Sequence, residues 1–84
     1  MKEPTSRRLC DLRDGERGRI SGIEENCPIR QRLTELGFIE GTEVRRLFTA
    51  ASGDPAAYAL YGTLIALRKS DSEKVLVVPV RPHR

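Results

Sequence analysis

The fold is decided by the stretch Arg32-Leu33-Thr34-Glu35-Leu36-Gly37-Phe38-Ile39-Glu40-Gly41-Thr42-Glu43-Val44, in which a helix ends and a strand begins. Gly37 follows Leu33 and Leu36, two apolar residues at helical spacing, and helices commonly end in a left-handed residue that glycine adopts without steric cost. Gly41 then precedes a run of β-favouring residues. The stretch therefore predicts a short helix that feeds directly into a sheet.

The helix upstream of this stop is predicted over residues 28–36. Pro28 fits the first turn of a helix and disfavours a helical conformation at the residue before it. Ile29, Leu33 and Leu36 recur at helical spacing and form one amphipathic side. We therefore expect this face to pack against the sheet.

Strand patterns occupy most of the remaining chain. Strands are predicted at residues 18–23, 42–50, 58–61, 63–68 and 75–80. Gly18 and Gly22 predict a bent first strand with close backbone approach, and the irregular alternation at Leu47-Phe48 predicts a bulge. Pro79 cannot donate to a ladder, which predicts that its end of the last strand lies at an edge.

Turn signals complete the predicted architecture. Gly53-Asp54-Pro55 has the composition of a chain reversal. Ser70, followed three residues later by Glu73, has capping-box spacing and predicts a single helical turn. About five short strands, one inserted α-helix and one helical turn predict an all-β protein, a small barrel.

Length and composition predict one folded domain. The 84 residues, 38% hydrophobic and 32% charged, are typical of a single compact domain. Because both ends are polar and contain proline, residues 1–8 are predicted to be a flexible arm, 9–80 the domain and 81–84 a tail. No apolar run reaches the roughly 20 residues that span a bilayer, and the N-terminus lacks the apolar centre of a secretory signal. We therefore expect a cytoplasmic protein.

The charge pattern argues against a nucleic-acid partner. The net charge is +3, from 15 basic and 12 acidic residues. The densest basic pairs are Arg7-Arg8, Arg45-Arg46 and Arg68-Lys69, and acidic residues interrupt the field around them. Nucleic-acid modules usually have a more one-sided distribution. These pairs are therefore predicted to be solvated surface, with Arg68 pairing with an acidic neighbour such as Glu43.

Residues able to do chemistry are scarce, and the protein is predicted not to be an enzyme. The one histidine, His83, lies in the predicted tail, so no nucleophile, base and orienting group stand out together. Cys10 and Cys27 lack the spacing of a redox pair, and these ligands cannot complete a ferrous or tetrahedral zinc site in one chain. No metal or cofactor is predicted; weak or intersubunit Fe²⁺ or Zn²⁺ binding through Cys10, Cys27, His83 and a carboxylate stays open.

The motifs together resemble the FeoA family, ferrous iron transport protein A. Its central pattern, approximately R-L-x-E-L-G, an apolar pair and G-T-x-V, matches residues 32–44, and the similarity extends to both sides from residue 9 to residue 77. The resemblance implies an SH3-like barrel. It also implies a cytosolic accessory protein that docks on the membrane ferrous iron permease FeoB, with its G-protein domain, modulates uptake, and reaches the membrane only through this partner.

Candidate partner contacts lie on the helix and in nearby loops. They are Arg30, Arg32, Phe38, Ile39 and the turn Gly53-Asp54-Pro55. Phe38 and Ile39 are adjacent, so both can hardly be buried on one strand face, and exposure of one would offer an apolar contact. The competing interpretation is that both residues cap the end of the barrel.

Tyr58 and Tyr61 are predicted to be core residues, because aromatic residues are only 5% of the chain and the core needs them.

The alternative function is that of an SH3-like regulatory module of a metal-dependent transcriptional repressor system. The chain has no helix-turn-helix pattern, so it would need a DNA-binding partner domain. Whether it forms a homodimer, and whether it activates or inhibits transport, the sequence leaves undecided.

Overall fold

Residues 7–80 form six strands, two short α-helices and one 3-10 helix. The structure is a computed structural model that describes residues 7–80, so the predictions for residues 1–6, for 81–84 and for His83 lie outside it. In chain order the elements are β1 (Arg7–Arg8), a 3-10 helix (Leu9–Asp11), β2 (Arg17–Ile23), α1 (Arg30–Leu36), β3 (Glu43–Thr49), β4 (Ala56–Leu60), β5 (Thr63–Leu67), α2 (Lys69–Ser72) and β6 (Val75–Pro79).

The strands form one antiparallel sheet in the order β1-β6-β2-β3-β4-β5. The predicted mainly-β class is confirmed, with a sixth strand in addition to the expected five. Arg7 and Arg8 pair with Val77 and Leu76 of β6, so the predicted flexible arm is wrong at its last two residues. Their strand depends on a backbone ladder to the far end of the chain, which no local side-chain pattern reveals. Pro79 pairs with Gly18 of β2, and the position opposite it on the β1 side falls before Arg7, outside the described residues, so the edge at Pro79 stays a prediction.

The core lies inside the curled sheet and is closed by α1 and the 3-10 helix. It receives side chains from the helical segments and from each strand between β2 and β6; the largest are Leu9, Leu12, Ile20, Leu33, Phe38, Val44, Tyr58, Leu60, Val75 and Val77. Gly18 of β2 permits the tight approach of β6, because a Cβ added there would lie 3.2 Å from the Cβ of Val77. The expected close approach is confirmed at Gly18 but is wrong at Gly22, where an added Cβ would meet nothing within 4 Å and the strand register shifts instead. The bulge near Leu47 is confirmed.

The two helices differ from prediction at their starts. Helix α1 begins two residues after Pro28, and Ile29 occupies its N-cap. The single turn α2 is present, but the predicted Ser70 capping box is wrong, since the N-cap is Arg68. Asp54, distant in sequence, caps this turn instead: its Oδ1 accepts a hydrogen bond of 2.8 Å from the backbone N–H of Lys69.

The predicted pair between Arg68 and Glu43 is also wrong. Arg68 lies 3.8 Å from Asp54, and Glu43 instead pairs with Arg17 of the neighbouring strand at 3.1 Å. Both alternatives are exposed ion pairs, whose contribution to stability is small. Arg68 does pair with an acidic neighbour, but Glu43 is out of reach because β4 lies between β3, where Glu43 is, and β5, which Arg68 follows.

Arg46 is a largely buried structural residue rather than one half of a solvated basic pair. Only 15% of its side chain is exposed. Its guanidinium donates to the backbone oxygens of Cys10 at 2.9 Å and Leu12 at 2.8 Å, to Asp14 Oδ1 at 3.1 Å and to Thr49 Oγ1 at 2.7 Å. These bonds fasten the 3-10 helix and the following turn to β3.

Candidate partner-binding surface

The end of helix α1 separates the two adjacent apolar residues that sequence analysis singled out. Gly37 has φ of +113°, and the N–H of Phe38 donates to the carbonyl of Leu33 at 2.9 Å, which closes the helix. This reversal turns Phe38 into the core with 1% exposure and leaves Ile39 on the surface with 48%. The interpretation that both residues cap the barrel is therefore wrong for Ile39, and Phe38 offers no exposed contact.

A shallow groove of about 270 Å³ lies between α1 and β2. It brings together three of the predicted residues: Phe38 in its floor, with Ile39 and Arg30 among its other lining residues. Arg30 Nε lies 3.4 Å from the carbonyl of Ile23, which holds this side chain beside the groove. Arg32 is exposed on α1 but does not line the groove.

Sequence reasoning missed two exposed residues at the same helix end. Tyr61 packs one edge of its ring close to Gly37, its hydroxyl lies 3.5 Å from Thr42 Oγ1, and 75% of the residue is exposed. Leu36 is 39% exposed. The prediction of a core Tyr61 is wrong because Tyr61 and Gly62 both have positive φ and form the corner of the β4–β5 hairpin. The sequence signal that could have indicated this exposure is the position of Tyr61 directly before Gly62, between two predicted strands.

Leu36, Ile39 and Tyr61 are called the helix-end patch below. Ile39 joins this patch to the groove. Exposed large apolar side chains that cluster on a small domain are typical of interaction sites.

Within residues 7–80, neither helix is long and apolar enough to cross a bilayer.

The turn Gly53-Asp54-Pro55 lies at a different cavity. Gly53 and Asp54 line that cavity together with Cys10, Tyr58 and other residues, and none of its lining residues is shared with the α1 groove in the described part of the chain. The Asp54 carboxylate is already engaged in capping α2. The predicted contact residues thus fall into two separate places.

The surroundings of Cys10 lower the reactivity of its thiol. Burial, followed by the nearby Asp11 carboxylate, raises the pKa of the Cys10 thiol, while Cys27 is buried in the core. A thiol with a raised pKa is mostly protonated at neutral pH and a poor nucleophile or metal ligand. Among residues 7–80, no three His, Cys, Asp or Glu side chains cluster so as to hold a metal ion.

Both cysteines should therefore react slowly in the native protein. With iodoacetamide at about pH 8, close to the ordinary thiol pKa, we expect alkylation to be several-fold slower in the folded protein than in urea. Mass spectrometry over time measures the rates, and Cys10→Ser assigns them to the two sites. A native rate at Cys10 equal to the unfolded rate would contradict the raised pKa.

The family is decided by a match across almost the whole described fold. A model of the FeoA domain matches residues 7–79. The chain belongs to the FeoA domain family. A curated FeoA relative is 30% identical over 70 residues: the Fe(2+) transport protein A/Fe(2+) transporter FeoB fusion protein of Porphyromonas gingivalis. The match covers 83% of this chain, which spans only 8% of the length of that relative.

Solved FeoA structures share the fold. The FeoA-like protein of Clostridium acetobutylicum superposes with a TM-score of 0.84 at 27% identity, covering 100% of this chain and 95% of that one. FeoA of Stenotrophomonas maltophilia, a prokaryotic SH3 domain protein complexed with zinc, has a TM-score of 0.75 at 31% identity and covers 83% and 87%. The predicted SH3-like class is confirmed.

The fold also occurs in a manganese-dependent transcriptional repressor. That protein has a TM-score of 0.81 at 20% identity, covering 95% of this chain and 45% of the repressor. A likeness at this level of identity concerns the fold alone, and a shared fold does not carry a shared function. The repressor-module alternative therefore stays a prediction.

Proposed function

We propose that the chain is a cytosolic, non-enzymatic accessory protein of ferrous iron uptake that docks on an FeoB-type permease and modulates transport. The observation that carries this proposal is the P. gingivalis relative, in which a homologous segment and an FeoB transporter belong to one polypeptide. Joining two modules in one chain keeps them at high effective concentration, which benefits modules that act together. We infer that the FeoA domain of this chain contacts the permease through a binding surface of its own.

The helix-end patch and the adjoining groove are the surface we propose for docking. Ile39 and Tyr61 are among the exposed large apolar residues of the described chain, and Arg30 lines the groove together with Ile39. Aromatic, aliphatic and arginine side chains of this kind are the usual anchors of protein interfaces. The protein would then reach the membrane through its partner.

Tyr61 adds a second argument for this surface. Its φ of +53° is unusual for a residue other than glycine, asparagine or aspartate. Asparagine would suit this hairpin corner better. A bulky aromatic residue in a disfavoured backbone conformation, with its ring largely in solvent, motivates a binding role for the ring.

Tyr61→Asn separates binding from folding. We expect this variant to fold with unchanged or slightly higher stability, because asparagine tolerates positive φ, yet to bind the cognate permease about tenfold or more weakly, since it loses an aromatic anchor. Ile39→Ser should also weaken binding. Affinity for the detergent-purified permease and iron uptake in a deletion strain measure these effects.

Phe48→Thr is the matched control, because Phe48 is also an exposed aromatic residue, at 55%, and lies on β3 away from the groove. We expect this variant to bind normally. Folded Tyr61→Asn and Ile39→Ser variants with wild-type affinity would refute docking through the patch. Failure of the wild-type chain to bind the permease would refute the proposed function itself.

A further inference from the structure

A second concave surface, here called the arginine cleft, lies at the turn between the 3-10 helix and β2. It has a volume of about 800 Å³, and its walls include Arg7, Arg13, Arg17, Arg45, Pro79 and Val80. Its lining residues are separate from those of the α1 groove in the described chain. Four arginines from three strands and one turn thus line one cleft, and the guanidinium groups of two of them, Arg7 and Arg17, pair with Glu16 and Glu43.

The carboxylates of the cleft are already engaged by the protein. Glu16 accepts from the backbone N–H of Arg13 at 2.8 Å and pairs with Arg7 at 3.4 Å. Asp14, the other acidic lining residue, accepts instead from the structural Arg46. Arg13 and Arg45 are both exposed, and neither forms an ion pair with any residue in 7–80. Among the described residues, the guanidinium groups of Arg13 and Arg45 therefore have no carboxylate partner.

The remaining lining selects among anionic ligands. Pro79 and Val80 supply a half-buried apolar surface beside the arginines. Guanidinium groups form bidentate pairs with carboxylates, and the adjacent apolar surface favours a ligand that alternates acidic and apolar side chains. A uniformly charged polyanion would also meet Asp14 and Glu16, which makes this cleft less suited to nucleic acid.

We propose that the arginine cleft binds an acidic, extended segment of the permease, as a second contact beside the helix-end patch. This inference rests on the proposed docking function and names the charge chemistry of the partner. Exposed charges at an interface mainly accelerate association and make affinity dependent on salt. The two surfaces therefore predict different responses to ionic strength.

The test compares variants of equal charge in the full chain. Arg13→Gln/Arg45→Gln removes two guanidinium groups of the cleft, and Lys69→Gln/Lys74→Gln removes the same charge from residues that do not line the cleft. Affinity for the purified permease is measured at about 50 mM and about 300 mM salt, where screening differs strongly. Phosphatidylcholine–phosphatidylserine vesicles and duplex DNA serve as competing anionic probes.

We expect the arginine variant to bind about tenfold more weakly at low salt and to lose most of the salt dependence, whereas the lysine variant stays within about twofold of wild type. Tyr61→Asn should weaken binding without flattening the salt response. An arginine variant equal to wild type, or a lysine variant equally impaired, overturns the cleft proposal while docking stands. Loss of vesicle or DNA binding with unchanged permease affinity also overturns it. If the wild-type chain does not bind the permease, both proposals fail.

Discussion

Gly37→Ala should lower the free energy of unfolding by about 2–5 kcal/mol, because two costs add at this position. The residue has φ of +113°, and a left-handed conformation costs a residue with a Cβ about 1–2 kcal/mol. The new Cβ would also lie 3.1 Å from both Leu60 and the Tyr61 ring, and forcing atoms into a packed site costs about 1–3 kcal/mol. Urea unfolding followed by circular dichroism measures the change.

Gly41→Ala is the control that separates these two costs. Gly41 has φ of +93°, but a Cβ there would meet nothing within 4 Å. We expect a loss of about 1–2 kcal/mol, from backbone conformation alone. Equal losses in the two variants would contradict the packing of Leu60 and Tyr61 against Gly37. Because a methyl group added at Gly37 would displace the Tyr61 ring, the Gly37 variant should also lose more permease affinity than the Gly41 variant.

The helix stop was predictable because its signals are local. Gly37 follows apolar residues at helical spacing, and the structure places it in the left-handed conformation that this position requires. The opposite fates of Phe38 and Ile39 were only half predictable. Sequence indicates that both residues can hardly be buried together, but the direction in which the chain leaves the helix decides which one enters the core.

Long-range contacts explain the features that sequence reasoning missed. Asp54 caps α2 across 15 positions of the chain, and the partners of Arg46 at Cys10 and Leu12 lie 36 and 34 positions away. The residue types alone do not indicate that Asp54 caps a helix or that Arg46 fastens distant segments, since arginine and aspartate are usually exposed. The pattern around Tyr61 was local, yet its aromatic character favoured a core assignment over the hairpin geometry that exposes it.

The candidate site shows the same division between local and tertiary information. Arg30, in helix α1, and Ile39, just after its end, could be proposed from the sequence, and the groove does bring them together. The arginine cleft combines residues from β1, the first turn, β2 and β3, so no window of sequence contains it. In the sequence its arginines have the pattern of ordinary solvated charges. Only the order of the strands in the sheet places them next to one another.

Arg46→Gln should destabilise the fold by about 2–4 kcal/mol, because glutamine cannot replace a guanidinium that donates to four separate acceptors. Two of them are backbone carbonyls, at Cys10 and Leu12, and each acceptor left unpaired away from water costs about 1–3 kcal/mol. Asp14 recovers part of its loss from solvent, since 53% of its side chain is exposed. Stacking of the guanidinium over Tyr58, with its carbon 6.0 Å from the ring centre, is lost as well.

The neighbouring Arg45→Gln gives the same chemical change in the same strand without these bonds. Arg45 is exposed, so we expect its replacement to change stability by less than about 0.5 kcal/mol. The urea midpoints of Arg46→Gln and Arg45→Gln, compared at equal m-values, show whether Arg46 stabilises the fold more than Arg45 does. Equal midpoints would contradict a structural role for Arg46.

Because the free energy of unfolding of small domains is only about 5–15 kcal/mol, the loss at Arg46 would leave the 3-10 helix and the turn that follows it poorly attached to β3. Arg13, in the turn that this attachment holds in place, would then no longer be positioned in the cleft.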